Sequence, residues 1–397
     1  MRTNSNFLHT AFIAVMLIIM TLSGCGQKAP RNINSFYGAR KLPAYQTLFS
    51  KFDSLENGER TSITIVHIGD SHLQAGYISE KIKAQLYRHF SPSDTILSPG
   101  LVFPYSLAQT NNPYYYTSEG EGHWQGFRNI QQDLPVPLGM TGISLLTDTV
   151  SRVSISFRNT SRTNRYAFNR ISVLGQGEAS IEAAIIEPKS FAPGELLNLE
   201  SSFDSIELTI KPSGKNAFIL QGLLMEYTPA PIHYHTIGIN GAQAKSYLQC
   251  NDLSKQLKAL KPDWVIVSLG TNEAYSQAFD PDSIETALEN FIGIIDQVAP
   301  DAAKLLCTPN DHLDRNQQPN SNVGSVIAIQ SAIAQKHGWA LWDFYNLMGG
   351  EGSIYKWAND SLTARDKIHF NRLGYERQGE LFFEALEQTR ENREEQW

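Results

Sequence analysis

The chain has 397 residues and a formal net charge of −7; 41% of its residues are hydrophobic and 18% are charged. Its length suits about two domains, each with a hydrophobic core of its own. The acidic balance and the lack of a long basic run exclude nucleic acid as an expected partner.

The N-terminus has the pattern of a targeting signal. Arg2 supplies a positive charge, and residues 11–22 form an apolar run that is too short for a comfortable transmembrane helix. The sequence Leu22-Ser23-Gly24-Cys25 then resembles the lipobox of bacterial lipoproteins, whose cysteine is acylated and begins the mature chain. This resemblance implies a protein of the bacterial cell envelope that is anchored in a membrane through acylated Cys25. We expect it to face the periplasm, because no acidic cluster follows the cysteine. The alternative is an ordinary cleaved signal peptide (residues 1–24) with an incidental cysteine.

The fold is predicted to begin after a tether. Residues 25–60 are expected to form this tether and a short helix around Tyr45–Leu55. The apolar run Ser62–Ile68 is typical of a buried strand, and Gly69 after it permits a sharp turn. Apolar residues recur at every fourth position from Ile78 to Phe90 and predict a helix.

The pattern changes between residues 100 and 232. Hydrophobic and polar residues alternate in Val153–Phe157 and again in Ile206–Ile210, as in half-buried strands. Turn signals such as Pro193-Gly194 and Pro212-Ser213-Gly214 separate the runs at short intervals. We therefore predict an inserted antiparallel β-sandwich, or jelly roll, of about 130 residues.

Strands and helices alternate again after His233. The predicted strands are 235–239, 264–269, 305–308 and 341–344, and the predicted helices are 247–260, 283–298, 323–337 and 373–389. This alternation predicts an α/β domain with a parallel sheet covered by helices on both faces. The domain is expected to comprise residues 61–99 and 233–392, with the β-sandwich inserted between the two parts.

The remaining cysteines and the histidines point to structural roles. Cys250 and Cys307 are too few for a disulfide framework, and we expect them to be buried, unpaired thiols. The histidines lack the spacing of metal ligands; His233 and His235, on one strand face, are expected to be a structural pair. We expect neither a metal site nor another cofactor.

Four polar segments lie where an open α/β sheet forms its sites, at or near the carboxyl ends of strands. Ser71, after the first strand, would have its hydroxyl near the positive end of a helix dipole. Gly241, after the strand 235–239, would let a backbone N–H approach a ligand closely. Asn272 could direct its amide at a developing oxyanion, and Asp366 and His369 could act as orienting carboxylate and general base. Taken singly, each segment also fits an ordinary role: a helix cap, a strand-to-helix turn or a surface histidine.

In this order, the four segments resemble the blocks of the SGNH, or GDSL-like, hydrolase family, which is named for a serine, a glycine, an asparagine and a histidine. The matching residues are Ser71 in GDSH, Gly241 in GINGA, Asn272 in LGTNE and His369 in DKIH. The resemblance covers residues 61–99 and 233–392 and implies a flavodoxin-like parallel sheet.

Two residues depart from the family pattern. His72 stands where many members have leucine, and Glu273 stands where the third block usually has aspartate. Neither replaces a catalytic atom. The run Gly69–Gly76 (GDSHLQAG), together with the inserted β domain, resembles one branch of the family, the peptidoglycan O-acetylesterases that carry a carbohydrate-binding-like insert.

The resemblance implies a serine esterase mechanism. Ser71 attacks an ester carbonyl, His369 accepts its proton, and Asp366 holds the imidazole tautomer. The backbone N–H groups of Ser71 and Gly241 and the side-chain amide of Asn272 form the oxyanion hole. The expected reaction hydrolyses O-acetyl esters on a cell-envelope glycan, with peptidoglycan as the expected polymer, through an acetyl-enzyme.

The insert offers candidate glycan contacts. Tyr115, within the run Tyr114–Tyr116, and Trp124 could stack on sugar rings, although packing inside a sandwich is an equally good interpretation. Peptide carboxylates of a cell-wall substrate could be met by any of four arginines, which are otherwise solvated surface charges: Arg128, Arg162, Arg165 and Arg170.

Other functions stay open on the sequence alone. An O-acetyltransferase would pass the acetyl group to a sugar hydroxyl rather than to water, and an esterase could act on another polysaccharide such as xylan. A glycan-binding lipoprotein with an inactive catalytic domain is an alternative of a different class.

Overall fold

The computed structural model describes residues 34–60, 62–90, 96–159, 165–184, 188–213 and 217–392. The predicted signal peptide, Cys25 and Arg162 lie outside the described residues. All described residues belong to one compact unit, Asn34–Trp397. None of the described helices is long and apolar enough to cross a membrane.

The helices and strands follow the predicted order. The α-helices of the described chain are α1 (Pro43–Glu56), α2 (Ser71–Gln74), α3 (Tyr77–Phe90), α4 (Ala244–Tyr247), α5 (Leu253–Leu260), α6 (Thr271–Ala274), α7 (Pro281–Val298), α8 (Asn322–His337), α9 (Phe344–Met348), α10 (Ser353–Asn359) and α11 (Arg372–Glu391). Short 3₁₀ helices span Ala39–Lys41 and Tyr105–Ala108. The strands are β1 (Ile63–Gly69), β2 (Ile96–Leu97), β3 (Gly100–Val102), β4 (Tyr116–Glu121), β5 (Gln125–Arg128), β6 (Ile143–Thr147), β7 (Ser151–Phe157), β8 (Arg165–Tyr166), β9 (Phe168–Gln176), β10 (Ala179–Ala184), β11 (Lys189–Phe191), β12 (Leu196–Phe203), β13 (Ser205–Pro212), β14 (Phe218–Glu226), β15 (Ile232–Gly238), β16 (Trp264–Ser268), β17 (Ala303–Cys307) and β18 (Ala340–Trp342).

A five-stranded parallel sheet forms the α/β part of the fold. Its strands lie in the order β15-β1-β16-β17-β18, which is the 2-1-3-4-5 order of flavodoxin-like sheets and confirms the predicted fold class. The strands are short apolar runs because a parallel sheet is covered on both faces; Trp264, Val265, Ile266 and Val267 of β16 are all buried. At the β18 edge, the Tyr37 N–H donates to the Leu341 carbonyl (2.8 Å), and the Leu341 N–H donates to the Tyr37 carbonyl (3.1 Å).

The helices α3 and α11 pack on each other, as do α7 and α8. Ile78, Ile82 and Leu86 of α3 are buried, as the fourfold spacing predicts. The predicted helix 247–260 is instead divided into α4 and α5. The reason is a long-range contact: the backbone of Asp252, in the break, donates to the Leu138 carbonyl of the insert (3.0 Å).

The insert consists mainly of two antiparallel sheets, and its short strand β8 instead pairs in parallel with β2. One has the order β11-β10-β13-β7-β4, and the other has the order β12-β9-β14-β6-β5 with β3 also paired to β14. Along β7, Val153, Ile155 and Phe157 are buried while the residues between them are more exposed, as the alternation predicts. The last strand of the insert ends at Glu226, and the chain rejoins the parallel sheet at Ile232.

Buried amide side chains tie the insert to the α/β part. The Gln221 amide donates to Asp252 Oδ2 (2.7 Å), and its oxygen accepts from Gln256 Nε2 (2.7 Å). Gln256 Oε1 in turn accepts from the Met140 N–H (2.8 Å). Because Gln221 is fully buried, this network is shielded from water and fixes the position of the insert on α5.

The close approach of α2 to β15 provides a test of this packing. A Cβ atom on Gly238 would lie 2.3 Å from the backbone nitrogen of Gln74, so Gly238→Ala is expected to destabilise the fold by about 3 kcal/mol, the upper end for overpacked sites. The control is Gly293→Ala in α7, where no atom lies within 4 Å of the added Cβ. It should stabilise by about 0.4–1 kcal/mol. Urea unfolding of both variants measures these changes, and equal midpoints for Gly238→Ala and the unchanged protein would contradict the packing.

Candidate active site

A cleft of about 670 Å³ opens at the carboxyl edge of the parallel sheet. It contains residues that follow three different strands: Ser71 after β1, Gly241 after β15 and Asn272 after β16. His369, just before α11, also lines it. The structure thus brings all four predicted block residues to one place.

Ser71, His369 and Asp366 form a continuous hydrogen-bonded chain. Ser71 Oγ lies 2.9 Å from His369 Nε2, and His369 Nδ1 lies 2.8 Å from Asp366 Oδ2. With Nδ1–H donating to the carboxylate, Nε2 is free to accept the serine proton. The other carboxylate oxygen accepts from the backbone N–H groups of Ile368 (2.9 Å) and His369 (3.0 Å).

The ionised form of Asp366 is favoured by these bonds. Burial alone would raise its pKa, but the hydrogen bonds from the His369 ring and from the two backbone N–H groups outweigh burial and hold the pKa below its ordinary value. Asp366 is therefore negatively charged at neutral pH and can stabilise a protonated His369.

Helix capping leaves the Ser71 hydroxyl available. Asp70, not Ser71, is the N-cap of α2, and its Oδ1 accepts from the His72 N–H (3.0 Å). Gly69 is needed for close approach rather than for the expected sharp turn, since a Cβ there would lie 2.8 Å from the Ser268 carbonyl oxygen. The alternative role of Ser71 as a helix cap is thus filled by its neighbour.

The predicted oxyanion donors face the same cleft. Gly241 has a φ of +84°, a conformation that favours glycine. Within the described residues, the backbone N–H groups of Ser71 and Gly241 have no hydrogen-bond acceptor. The Asn272 amide donates to the Ala242 carbonyl (3.0 Å) and to Asp70 Oδ2 (3.3 Å), which hold it beside Ser71.

Gln74 is a site residue that the sequence analysis missed. Its Oε1 accepts from the Asn240 N–H (2.6 Å), next to Gly241, while its Nε2 donates to Thr110 Oγ1 (3.1 Å) and to the Asn111 carbonyl (2.7 Å). The Gln74 side chain therefore connects the insert to the loop that contains Gly241. The signal available in the sequence was its place three residues after Ser71, on the same helix.

Two buried carboxyl groups lie behind the site. Burial raises the pKa of Asp70 to about 8; the bond from the His72 N–H opposes this rise and the charge of Glu273 adds to it. Burial also raises the pKa of Glu273, whose Oε1 accepts from the Ala244 N–H (2.8 Å). At pH 7 Asp70 is thus mostly neutral and adds little negative charge where an oxyanion would develop.

His72, the other departure from the family pattern, packs directly on the catalytic turn. Its ring is stacked on that of His369, with centroids 4.9 Å apart and planes 28° apart. His72 Nδ1 lies 3.1 Å from the Tyr375 hydroxyl. Burial, reinforced by repulsion from His369, holds the pKa of His72 well below its ordinary value. His72 is therefore an uncharged surface that supports the His369 ring.

The glycan contacts proposed from sequence are not in the cleft. Tyr115 is 4% exposed and stacks on Tyr166 (5.1 Å between centroids), so its ring cannot meet a sugar and that interpretation is wrong. Trp124 is partly buried against the sandwich core, with its indole N–H donating to the Arg152 carbonyl (3.1 Å), and it does not line the cleft. The tyrosines that do line the cleft are Tyr77, Tyr275 and Tyr375.

The remaining candidates also lie away from the cleft. Arg128, Arg165 and Arg170 do not line it, and Arg170 Nη1 lies 3.9 Å from Glu226. Cys250 and Cys307 are buried and unpaired, and burial raises the pKa of each thiol to about 12. Among the described residues, no group of three histidine, cysteine or carboxylate side chains is arranged to hold a metal ion.

Several solved structures are similar to this chain. A structure of a peptidoglycan O-acetylesterase matches with a TM-score of 0.72 and 20% identity over 87% of this chain and 96% of that chain. An acetylxylan esterase from Geobacillus stearothermophilus matches with a TM-score of 0.32 and 18% identity over 40% of this chain and 74% of that chain. A GDSL-like lipase from Bacteroides thetaiotaomicron matches with a TM-score of 0.32 and 17% identity, covering 39% of this chain and 76% of that chain. No curated protein sequence gives a match.

A protein-family model matches the second part of the α/β domain. Residues 208–377 match the GDSL-like Lipase/Acylhydrolase family, and this range contains Gly241, Asn272, Asp366 and His369. Ser71 lies outside the range because the insert separates it from the other blocks along the chain, although the fold returns it to them. The part of the chain that carries these residues is therefore similar to the GDSL-like lipase/acylhydrolase family, which supports a carboxylic ester hydrolase.

Proposed function

We propose that this protein is a carboxylic ester hydrolase that removes O-acetyl groups from a cell-envelope glycan, with peptidoglycan as its polymer. The observation that carries the proposal is the hydrogen-bonded chain Ser71–His369–Asp366 in an open cleft. The polymer is supported by the fold shared with a peptidoglycan O-acetylesterase, since the similarity extends over 87% of this chain and so includes most of the insert.

In the first half of the proposed reaction, His369 Nε2 accepts the Ser71 proton while Oγ attacks the acetyl carbonyl. The carbonyl oxygen becomes an oxyanion, which the N–H groups of Ser71 and Gly241 and the amide of Asn272 stabilise. The tetrahedral intermediate then collapses as the protonated His369 gives its proton to the departing sugar oxygen. Asp366 remains ionised and stabilises the imidazolium.

In the second half, water replaces the sugar. His369 accepts a proton from water, whose oxygen attacks the acetyl-Ser71 carbonyl at the same oxyanion site. Collapse of this second intermediate breaks the ester bond to Ser71, which regains its proton from His369, and acetate leaves. No cofactor takes part in these steps.

The cleft has side chains that suit a hydroxyl-rich ligand. The amides of Asn111, Asn112 and Asn240 can donate to and accept from sugar hydroxyl groups. The rings of Tyr77 and Tyr275 add aromatic surface to the lining of the cleft. This mixture of a few aromatic faces and several amides is more typical of a carbohydrate site than of a lipid site.

The assembled site favours hydrolysis chemistry over a purely binding role. A glycan-binding lipoprotein would not need a serine, a histidine and a carboxylate within hydrogen-bond distance of one another. A transferase would use the same acetyl-enzyme with a sugar hydroxyl in place of water, so analysis of products formed with an added oligosaccharide separates the two reactions.

The role of Ser71 as nucleophile can be tested by substitution. Ser71→Ala should lower acetate release from O-acetylated peptidoglycan by about 10⁴-fold or more, because it removes the attacking oxygen. A fluorophosphonate probe should label the unchanged protein at Ser71 and leave the variant unlabelled. Ser79→Ala, the same substitution at a buried serine of α3, is the control and should retain both labelling and turnover. Equal acetate release by Ser71→Ala and the unchanged protein would exclude Ser71.

The role of Asn272 in the oxyanion hole can be tested in the same way. Asn272→Ala should lower kcat by about 10²–10³-fold, equivalent to about 2.7–4 kcal/mol, because one donor to the oxyanion is lost. The control is Asn322→Ala, whose amide donates to the Ala274 carbonyl (3.1 Å) outside the cleft; it should change kcat less than twofold, about the effect of an ordinary surface substitution. An unchanged kcat in Asn272→Ala would remove this residue from the mechanism.

The attachment of the protein to a membrane can be tested through Cys25. We propose that acylated Cys25 anchors the enzyme in a membrane of the cell envelope on the periplasmic side, on the basis of the Leu22-Ser23-Gly24-Cys25 sequence. Detergent phase partitioning of the expressed full chain should place it in the detergent phase, and Cys25→Ser should move it to the aqueous phase, since the acyl chains are lost. Identical partitioning of the two proteins would argue for a different mode of attachment or for none.

A further inference from the structure

Cationic side chains lie beside the catalytic turn, next to residues that line the cleft but outside the lining itself, although the chain as a whole has a net charge of −7. Three cationic side chains lie on two neighbouring segments: Arg315 on the loop 311–320, and Arg365 and Lys367 on the turn that contains Asp366. We call Arg315, Arg365 and Lys367 the basic rim. Arg315 and Arg365 are exposed, and Lys367 is partly exposed.

Hydrogen bonds join the two segments. The Leu313 N–H donates to the Lys367 carbonyl (3.1 Å), and Asn310 Nδ2 donates to the Ile368 carbonyl (3.0 Å). Ile368 itself lines the cleft. Arg315 is therefore only two residues from a direct contact with the turn that positions His369.

Hydrogen bonds hold the backbone of the loop that carries Arg315. Leu313 and Pro319 form an antiparallel bridge, and Asp314 Oδ1 accepts from the N–H groups of Asn316 (2.8 Å) and Gln318 (2.9 Å). At the end of the loop, the buried Asn320 amide donates to the Ala274 carbonyl (3.0 Å). Arg315 is thus presented from a fixed backbone.

A cleft residue fixes the guanidinium of Arg315. Its central carbon lies 5.1 Å from the centroid of the Tyr275 ring, and Tyr275 lines the cleft. This distance is within the range of a cation–π contact, which restrains the side chain without using its N–H donors. The donors stay available to a ligand.

No carboxylate of the described chain neutralises the basic rim through an ion pair. The nearest acidic residues in sequence are engaged elsewhere: Asp314 accepts from its own loop, and Asp366 accepts from His369. By contrast, Arg372 at the same cleft is paired with Glu376 (2.7 Å). The positive charge of the rim is therefore left for something outside the protein.

We propose that the basic rim, with Arg315 as its main group, binds a carboxylate of the substrate beside the acetylated sugar. The guanidinium can meet a carboxylate with two parallel N–H bonds, a geometry that lysine cannot reproduce. The enzyme therefore selects an acidic glycan, whose sugars or attached peptides carry carboxylates, over a neutral one. This inference rests on the proposed esterase function and names the substrate class for that same cleft.

The experiment uses binding, so that it does not depend on turnover. Ser71→Ala protein is titrated calorimetrically with the disaccharide of N-acetylglucosamine and N-acetylmuramic acid, and with the methyl ester of the same disaccharide. The two ligands differ only at that group, which is a charged carboxylate in the acid and a neutral methyl ester in the other ligand. The acid is expected to bind about 5–10-fold more tightly than the ester, as for a well-formed arginine–carboxylate contact, and this ratio should shrink at high salt.

Variants of the rim separate charge from geometry. When Arg315→Gln is combined with Ser71→Ala, the ratio of the two affinities should fall close to one. Arg315→Lys in the same background should retain part of the preference for the acid. The control is Arg377→Gln, since Arg377 is paired with Glu380 and Glu384 on α11 and does not line the cleft. It should leave the ratio unchanged.

Three results would overturn the inference: equal binding of acid and ester, no binding of the acid at millimolar concentration, or an unchanged ratio in Arg315→Gln. Failure of the proposed function is seen separately, as absence of acetate release from O-acetylated peptidoglycan by the unsubstituted protein. The two proposals can therefore fail independently.

Discussion

The hydrogen bond between Ser71 and His369 joins residues that are 298 positions apart in the chain. It can form because β1 and β15–β18 run parallel and end at one edge, so that the residues that follow β1, β15 and β16 reach the same cleft. The backbone at that edge is packed tightly: Gly69 meets β16 and Gly238 meets α2 with no room for a side chain. The position of the nucleophile is thus set by the sheet and not by the short helix that carries it.

Around this bond, burial controls the charge of the neighbouring groups. Asp366 is only partly buried and, with three hydrogen bonds, stays ionised. Asp70 and Glu273 are buried and have raised pKa values, and His72 is buried and uncharged. The negative charge that stabilises the imidazolium is therefore that of Asp366, while Asp70, beside the oxyanion site, is mostly neutral at pH 7.

The parts of the site that were predicted from sequence are local. Ser71, Gly241 and Asn272 each follow an apolar strand, and Asp366 and His369 are three residues apart, so short patterns and family resemblance were enough to find them. Gln74 and Arg315 were missed because their roles depend on partners more than 30 residues away, at Thr110 and Tyr275. Burial of Tyr115 follows from its stacking on Tyr166 within the insert, and division of the helix 247–260 follows from the contact of Asp252 with Leu138. Local periodicity records neither of these long-range contacts.

The contact of Gln74 has a consequence for how such enzymes can be recombined. One amide group bonds to the loop of Gly241 on one side and to residues 110–111 of the insert on the other. Exchange of the insert for that of a relative would remove acceptors that hold this amide, and would disturb the reaction centre even if both domains folded correctly. Specificity and chemistry in this protein are therefore not separable modules, and changes in one have to be accompanied by changes in the other.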